Sequence, residues 1–327
     1  MRDFQTYYSR LRTATPREVC YRLRKGWLAH RLRNTHAHPS ASAAVLASAK
    51  RSLANLALPP FTGQVHPENI SQILNGKLYT LHASTAAVDR FNGRHAGCYF
   101  KVVGLRQSDP DLRAVWEAAR LQHLTLLLAH LVEHPTDVTA RSIRTFVRDA
   151  LDTWLQQNPF LRGPAYMSAM ECGLRVPVFF YALKLLRADN KWHDTLLQAM
   201  YQHAWWIYRN LSLFASAGNH TVCECVGLVF SGAVYKHTRD GCKWLDRGFE
   251  LLGKEISHQI LPDGGAAEQS LSYHRFVADL YWLAIGFLQV NDLREVGFLK
   301  SKLHTAERFP PSVRIVVTCT GQAEGAL

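Results

Sequence analysis

No Cys-x-x-Cys pair occurs anywhere in this chain, and its seven cysteines (Cys20, Cys98, Cys172, Cys223, Cys225, Cys242 and Cys319) show no regular spacing. An odd, unpatterned set excludes a closed disulfide framework and reads as free, mostly buried thiols in a reducing compartment. The opening Met-Arg-Asp-Phe-Gln-Thr-Tyr-Tyr-Ser-Arg lacks the apolar core of a secretory signal. No run approaches the roughly 18 apolar residues that a membrane span needs. These absences together read as a soluble, cytoplasmic protein with no membrane span. Low-complexity tracts and a motif recurring at a fixed period are also missing, which argues against a disordered chain and against a simple solenoid.

What is present is a globular composition carrying a strong positive charge. Hydrophobic residues make up 47% and charged residues 20% of the 327 positions, enough to bury one large core. Lys and Arg number 38 against 26 Asp and Glu, a net charge of +12. Such a field attracts polyanions without saying whether they are nucleic acid, anionic membrane or acidic polysaccharide. Much of the excess lies in Arg10, Arg12, Arg17, Arg22, Arg24, Lys25, Arg31 and Arg33, which suits a solvated helix face or a partner surface equally. Aromatic residues reach 11%, with eight Trp and twelve Tyr. Trp192, Trp205, Trp206 and Tyr208 read as core before they read as a sugar platform.

Along the chain, 3–35 reads as one or two basic helices, and an Ala-rich helix follows to about 56. The stretch 75–103 is the only one with strand character, in Gly76–His82 and Cys98–Val103. From Asp111 the period turns helical. Runs at 111–134, 137–157, 165–187, 191–213, 219–236, 241–261 and 268–290 are separated by His134-Pro135, Asn158-Pro159, Asp189-Asn190, Gly218, Asp240-Gly241 and Asp263-Gly264-Gly265. Short connections between long helices predict antiparallel hairpins, as a solenoid or as a closed α/α toroid. The expected organisation is a basic N-terminal segment with short strands over 1–104, a toroid over 105–306, and an irregular tail over 307–327.

Two stretches at helix ends carry the candidate chemistry: Gly218-Asn219-His220-Thr221, and Glu268-Gln269-Ser270-Leu271-Ser272-Tyr273-His274 just after the Asp-Gly-Gly turn. An amide, imidazoles, a phenol and a carboxylate at the rim of a helical scaffold suit proton transfer. Each has a plainer role. Asn219 after Gly218 suits a helix N-cap. The pairs His220/Glu224 and Glu171/Arg175, four residues apart, suit intrahelical partners. Glu268 and Ser270 suit a helix start. Tyr273 and His274 lie about 100° apart on a helix and cannot both face one site, and Tyr273 is the stronger candidate. A metal site from His220, Cys223, Cys225 and Cys242 is rejected, because Cys-x-Cys on a helix splays its thiols.

The ordered set Trp116-Glu117, Asn158-Pro159, Met170-Glu171 with Arg175, Gly218-Asn219-His220, Glu224 with Gly227, Gln259 with Asp263-Gly264, and Glu268-x-Ser270-x-x-Tyr273-His274 resembles the heparinase II/III family of polysaccharide lyases. The resemblance runs from near residue 1 to about 306. It implies an all-α-dominated, incomplete α/α toroid with a small N-terminal β element, and nearly all of the family's C-terminal β-sandwich missing. It further implies an acidic, uronate-containing glycan as partner, cleavage by β-elimination, no cofactor, no nucleic-acid partner, and a periplasmic location. Asn219, His220 and Tyr273 match the family's catalytic positions, with Glu171, Arg175, Glu224, Glu268 and His274 as substrate-binding. Positive charge from Arg175 or protonated His220 is expected to lower the Tyr273 phenol. Three rivals remain at this point: a toroid that binds such a glycan without cleaving it, a glycoside hydrolase using Asp263 and Glu268, and a helical nucleic-acid-binding module.

Overall fold

The computed structural model describes residues 14–34, 38–60, 65–76, 85–186, 188–214 and 217–308. The leading helices are α1 (Pro16–Asn34), α2 (Ala43–Asn55), α3 (Pro67–Leu74) and α4 (Thr85–His95). A 3-10 turn at Phe100–Val102 leads to α5 (Leu112–Ala119), α6 (Gln122–Glu133), α7 (Ala140–Gln157) and α8 (Ala169–Leu185). The last five are α9 (Asn190–Asn210), α10 (Asn219–Val234), α11 (Arg239–Gln259), α12 (Leu271–Val290) and α13 (Gly297–Glu307). From α6 onward, α6 packs on α7 and α8, α8 on α9 and α10, α9 on α10, α10 on α11 and α12, and α12 on α13, the arrangement expected of toroid hairpins.

At the centre is α10, whose residues from Thr221 to Val234 are all buried, against α8, α9, α11 and α12. A helix apolar on every side must be covered on every side. Close approach is possible because small residues line its seams. A methyl added to Gly227 would lie 2.8 Å from Gly173 Cα of α8, and one added to Gly173 would lie 2.8 Å from the Cys223 carbonyl carbon. Phe230 of α10 stacks on Phe287 of α12 at 3.9 Å between ring centres, with Phe180 of α8 edge-on to both.

The expected β element is corrected: no strand occurs among the described residues. Tyr99 makes one isolated antiparallel bridge to Arg162, and Phe100–Val102 is a single 3-10 turn. The apolar run that mimics a strand there reflects burial around a turn. Phe100 meets Trp206 edge-on at 5.1 Å, and the Tyr99 hydroxyl donates to the Ala29 carbonyl of α1 at 2.7 Å. Residues 77–84, which include most of the other expected strand, lie outside the described residues, as does the tail 309–327.

A second correction concerns the helix expected over 111–134. It is broken into α5 and α6 at Leu121, which is buried and adopts φ 61°. The expected helix at 165–187 begins later, at Ala169, after a 3-10 turn at Pro164–Tyr166. The basic N-terminal stretch does form a helix, α1, and that helix is not simply solvated. Its Tyr21 hydroxyl donates to the Leu211 carbonyl at 2.7 Å, and Lys25 Nζ donates to the Asn210 and Leu211 carbonyls at 2.9 and 3.3 Å.

Candidate active site

Gly218, with φ 127°, ends the loop after α9 in a backbone conformation that favours glycine, and it delivers Asn219 as the first residue of α10. Asn219 is therefore not an N-cap. The exposed N–H groups of that helix end are served from elsewhere: Glu268 Oε1 accepts from the Asn219 backbone N–H at 3.3 Å. Both Glu268 oxygens also accept from Asn219 Nδ2, at 2.9 and 2.8 Å. A carboxylate at the positive end of a helix dipole is stabilising.

Glu268 reaches that position because the chain after α11 folds back. Leu261 N–H donates to the Gly265 carbonyl at 2.9 Å, and Ala267 N–H donates to the Gln259 carbonyl at 3.0 Å. Gly264 at the tip takes φ 90°. Glu268 thus does not begin α12. Ser270 occupies the cap position of that helix and makes no side-chain cap bond.

These stretches border a cleft of about 750 Å³. Asn219, His220, Glu268 and Tyr273 line it, together with Lys25, Phe100, Lys101, Met167, Ser168, Ala169, Trp206, Asn210, Ser212, Ala217, Gln259 and Ala267. Tyr273 is 45% exposed, whereas His274 is buried and its Nε2 meets the Ala306 carbonyl at 3.1 Å. The helical offset between the two holds, and His274 faces the α13 side of the helix rather than the cleft.

His220 opens onto the cleft. Desolvation by the walls is the largest influence on its ring; Glu171 and Glu268 oppose it and Arg120 reinforces it. The net effect is a pKa below the ordinary 6.5. At neutral pH it is a neutral imidazole, so the expected cationic His220 beside Tyr273 is corrected.

Three expected substrate-binding residues sit behind the wall instead of on it. Glu171, 1% exposed, forms a two-point ion pair with Arg120, at 2.8 and 3.0 Å. Arg175 is fully buried and lies over Trp154 and Tyr166, 4.8 and 5.5 Å from the ring centres. It donates to the Ala165 carbonyl at 2.7 Å, the Ala119 carbonyl at 3.3 Å and His203 Nε2 at 3.1 Å. Its charge is spent inside the core and is not directed at Tyr273. Glu224 is also fully buried, accepting from Ser212 N–H at 2.6 Å and Ser212 Oγ at 2.7 Å. Burial pushes its carboxyl up to about 7 despite the Ser212 donors and Lys25. Neither four-residue pair is an intrahelical pair, because Glu171, Arg175 and Glu224 each bond partners off their own helix.

Cys223 and Cys225 are buried, and burial raises both thiols. Cys242 is exposed and donates to the Lys236 carbonyl. Among the described residues no group of three or more His, Cys, Asp or Glu is placed to hold a metal ion. Asp263 Oδ1 accepts from Gly265 N–H at 2.9 Å within its own turn and is not part of the cleft wall. Sequence reasoning missed Lys101, Asn210 and Ser212 in the cleft and Arg120 behind it. It placed Trp206 in the core, and Trp206 is both core and cleft wall.

Comparison with known proteins adds the family. The profile described as Heparinase II/III N-terminus matches residues 136–301, half of the chain, and spans α8, α10 and the loop that carries Glu268. This chain belongs to the heparinase II/III family. Curated relatives include the heparin-sulfate lyase of Bacteroides thetaiotaomicron, 27% identical over 158 residues, 46% of this chain and 21% of that protein. The heparin-sulfate lyase of Pedobacter heparinus is 31% identical over 94 residues, 29% of this chain and 14% of that protein.

Among solved structures, a heparinase III with methylated lysines matches with a TM-score of 0.51 at 16% identity, over 79% of this chain and 43% of that one. A crystal structure of heparinase III matches at 0.50 and 16% identity, over 86% and 42%. The shared fold is the α/α toroid of the heparinase III N-terminal domain. This family member spans about a fifth or less of the curated relatives' length and about two fifths of the solved structures.

Proposed function

We propose that this heparinase II/III family member cleaves an acidic, uronate-containing glycan by β-elimination, with Asn219, His220 and Tyr273 as its catalytic residues. The observation that carries the reading is their convergence. Residues from the start of α10 and the start of α12, 54 positions apart at the extremes, line one cleft that also presents Lys25 and Lys101. The named lyase relatives support the substrate class.

In such an elimination a base removes the proton on the carbon bearing the carboxylate. That C–H electron pair becomes the new ring double bond, the bond to the neighbouring glycosidic oxygen breaks, and that oxygen takes up a proton. The carbon is poorly acidic while its carboxylate is fully charged, so donors must meet the charge that builds there. The Asn219 amide is the donor at the α10 terminus, where the helix dipole also favours an anion. Neutral His220 is able to accept a proton, and the Tyr273 phenol is able to deliver one to the departing oxygen. Glu268 orients Asn219 from the opposite side.

The hydrolase reading requires two carboxylates across the scissile bond, and Asp263 is bound into its own turn away from the cleft. The buried polar clusters around Arg175 and Glu224 likewise count against a simple basic nucleic-acid-binding module. The test is the ultraviolet absorbance of a 4,5-unsaturated uronate during incubation with heparan sulfate, hyaluronan, alginate and bacterial exopolysaccharides. We expect a rise with one of these substrates that is lost in Asn219→Ala and in Tyr273→Phe. A rise unaffected by both substitutions would remove these residues from the mechanism.

A further inference from the structure

The two lysines of the cleft come from parts of the chain outside the family match at 136–301. Lys25 is held in place: Nζ donates to the Asn210 carbonyl at 2.9 Å and the Leu211 carbonyl at 3.3 Å. An ammonium has three N–H donors, so one remains for the cleft. Lys101 stands exposed in the 3-10 turn at Phe100–Val102. Burial lowers the Lys25 pKa, the buried Glu224 opposes that shift, and Lys101 adds a smaller lowering, so the two cations sense one another.

The acids nearby have other hydrogen-bond partners. Glu224 accepts from Ser212, and Glu268 accepts from Asn219. Among the described residues, the lysine ion pairs are Lys50–Asp194 and Lys254–Glu250, and neither involves the cleft. Two ammonium groups thus line one cavity whose lining carboxylate, Glu268, is bound to Asn219, and among the described residues neither lysine is ion-paired, an arrangement that favours an anion.

We propose that Lys25 and Lys101 form an anion subsite for a second acidic substituent, a sulfate or a carboxylate, on a sugar flanking the one that Asn219 engages. Holding Lys25 by two backbone carbonyls lowers the entropy lost on binding, and the anion relieves the repulsion between the two lysines. Specificity for densely charged glycans then resides in the N-terminal 101 residues, while the reacting groups reside in α10 and α12. The inference rests on the acidic-glycan reading above.

The experiment is calorimetric titration of the 327-residue chain, in a Tyr273→Phe background so that ligand is not consumed. The probes are sulfated heparan oligosaccharides and their unsulfated backbone polymer. Lys101→Ala should weaken binding about tenfold, the loss of one charge-assisted contact. Lys25→Met should weaken it at least as much, with retention of fold checked by thermal melting. Lys300→Ala, exposed on α13 and absent from the cleft wall, is the charge-matched control and should bind as the parent does.

Weakening confined to sulfated ligand identifies the group as sulfate; equal weakening with both identifies a carboxylate. Unchanged affinity in Lys101→Ala, or an equal loss in Lys300→Ala, overturns the subsite. If Lys101 governs affinity yet no elimination product ever forms, the subsite stands and the lyase reading fails. If elimination proceeds with a KM indifferent to Lys101, the subsite alone fails.

Discussion

Glu268 holds the amide that the proposed elimination needs, and it also places a negative charge in the cleft proposed to take an acidic glycan. These two effects separate by substitution. Glu268→Gln keeps an oxygen for the Asn219 amide and removes the charge, so KM for an acidic glycan should fall. Glu268→Ala frees Asn219 and leaves the α10 terminus unserved, so kcat should fall by about tenfold or more for loss of one positioned donor. Steady-state kinetics on the two variants check both, and a lower kcat with unchanged KM in the Gln variant would contradict the charge argument.

Glu224 gives a pH prediction with a definite sign. Its folded pKa, about 7, lies above the ordinary 4.5. The folded chain therefore holds a proton that the unfolded chain has released, and the associated stability is full below about 4.5 and lost as pH rises through about 7. Urea midpoints of the parent should decline over that window relative to Glu224→Gln, in which the group no longer titrates. Parallel pH curves for the two proteins would place the titration elsewhere.

At the scale of elements, the helices and their stops were largely legible. Gly218 and Asp263-Gly264 mark the chain reversals that bring Asn219 and Glu268 to one place, and the 100° helical offset correctly separated Tyr273 from His274. Partner choice was not legible. Arg120 and Glu171 meet across 51 positions, and Lys25 meets Asn210 across 185. Intrahelical spacing suggested Glu171–Arg175 and His220–Glu224, but burial favours whichever partner satisfies a charge most completely, and for Glu171, Arg175 and Glu224 those partners lie outside their own helix.

The strand-like 98–103 misled for a related reason: apolar residues bury equally well around a turn. Glycine at a helix seam is the element-level feature most open to test. Gly227→Ala would press a methyl against the Gly173 backbone, with Ile207 Cδ1 3.1 Å away, forcing α8 and α10 apart. A loss of about 1–3 kcal/mol is expected from such overpacking, read as a lower thermal midpoint. An unchanged midpoint would mean that the seam is looser than its geometry.

For the whole molecule, a net charge of +12 and a helical toroid whose cleft presents Lys25 and Lys101 fit the proposed acidic polymer. The chain covers 14% to 21% of the two heparin-sulfate lyases compared with it, so whether these helices perform the bond cleavage themselves is the central question. The most direct measurement is mass spectrometry of glycan fragments produced in oxygen-18 water. Elimination breaks the glycosidic bond without adding water, so the new non-reducing ends should be unsaturated and should carry no label fixed by the cleavage. Fragments whose cleaved bond has taken up the elements of water, or an intact polymer after prolonged incubation, would contradict the account.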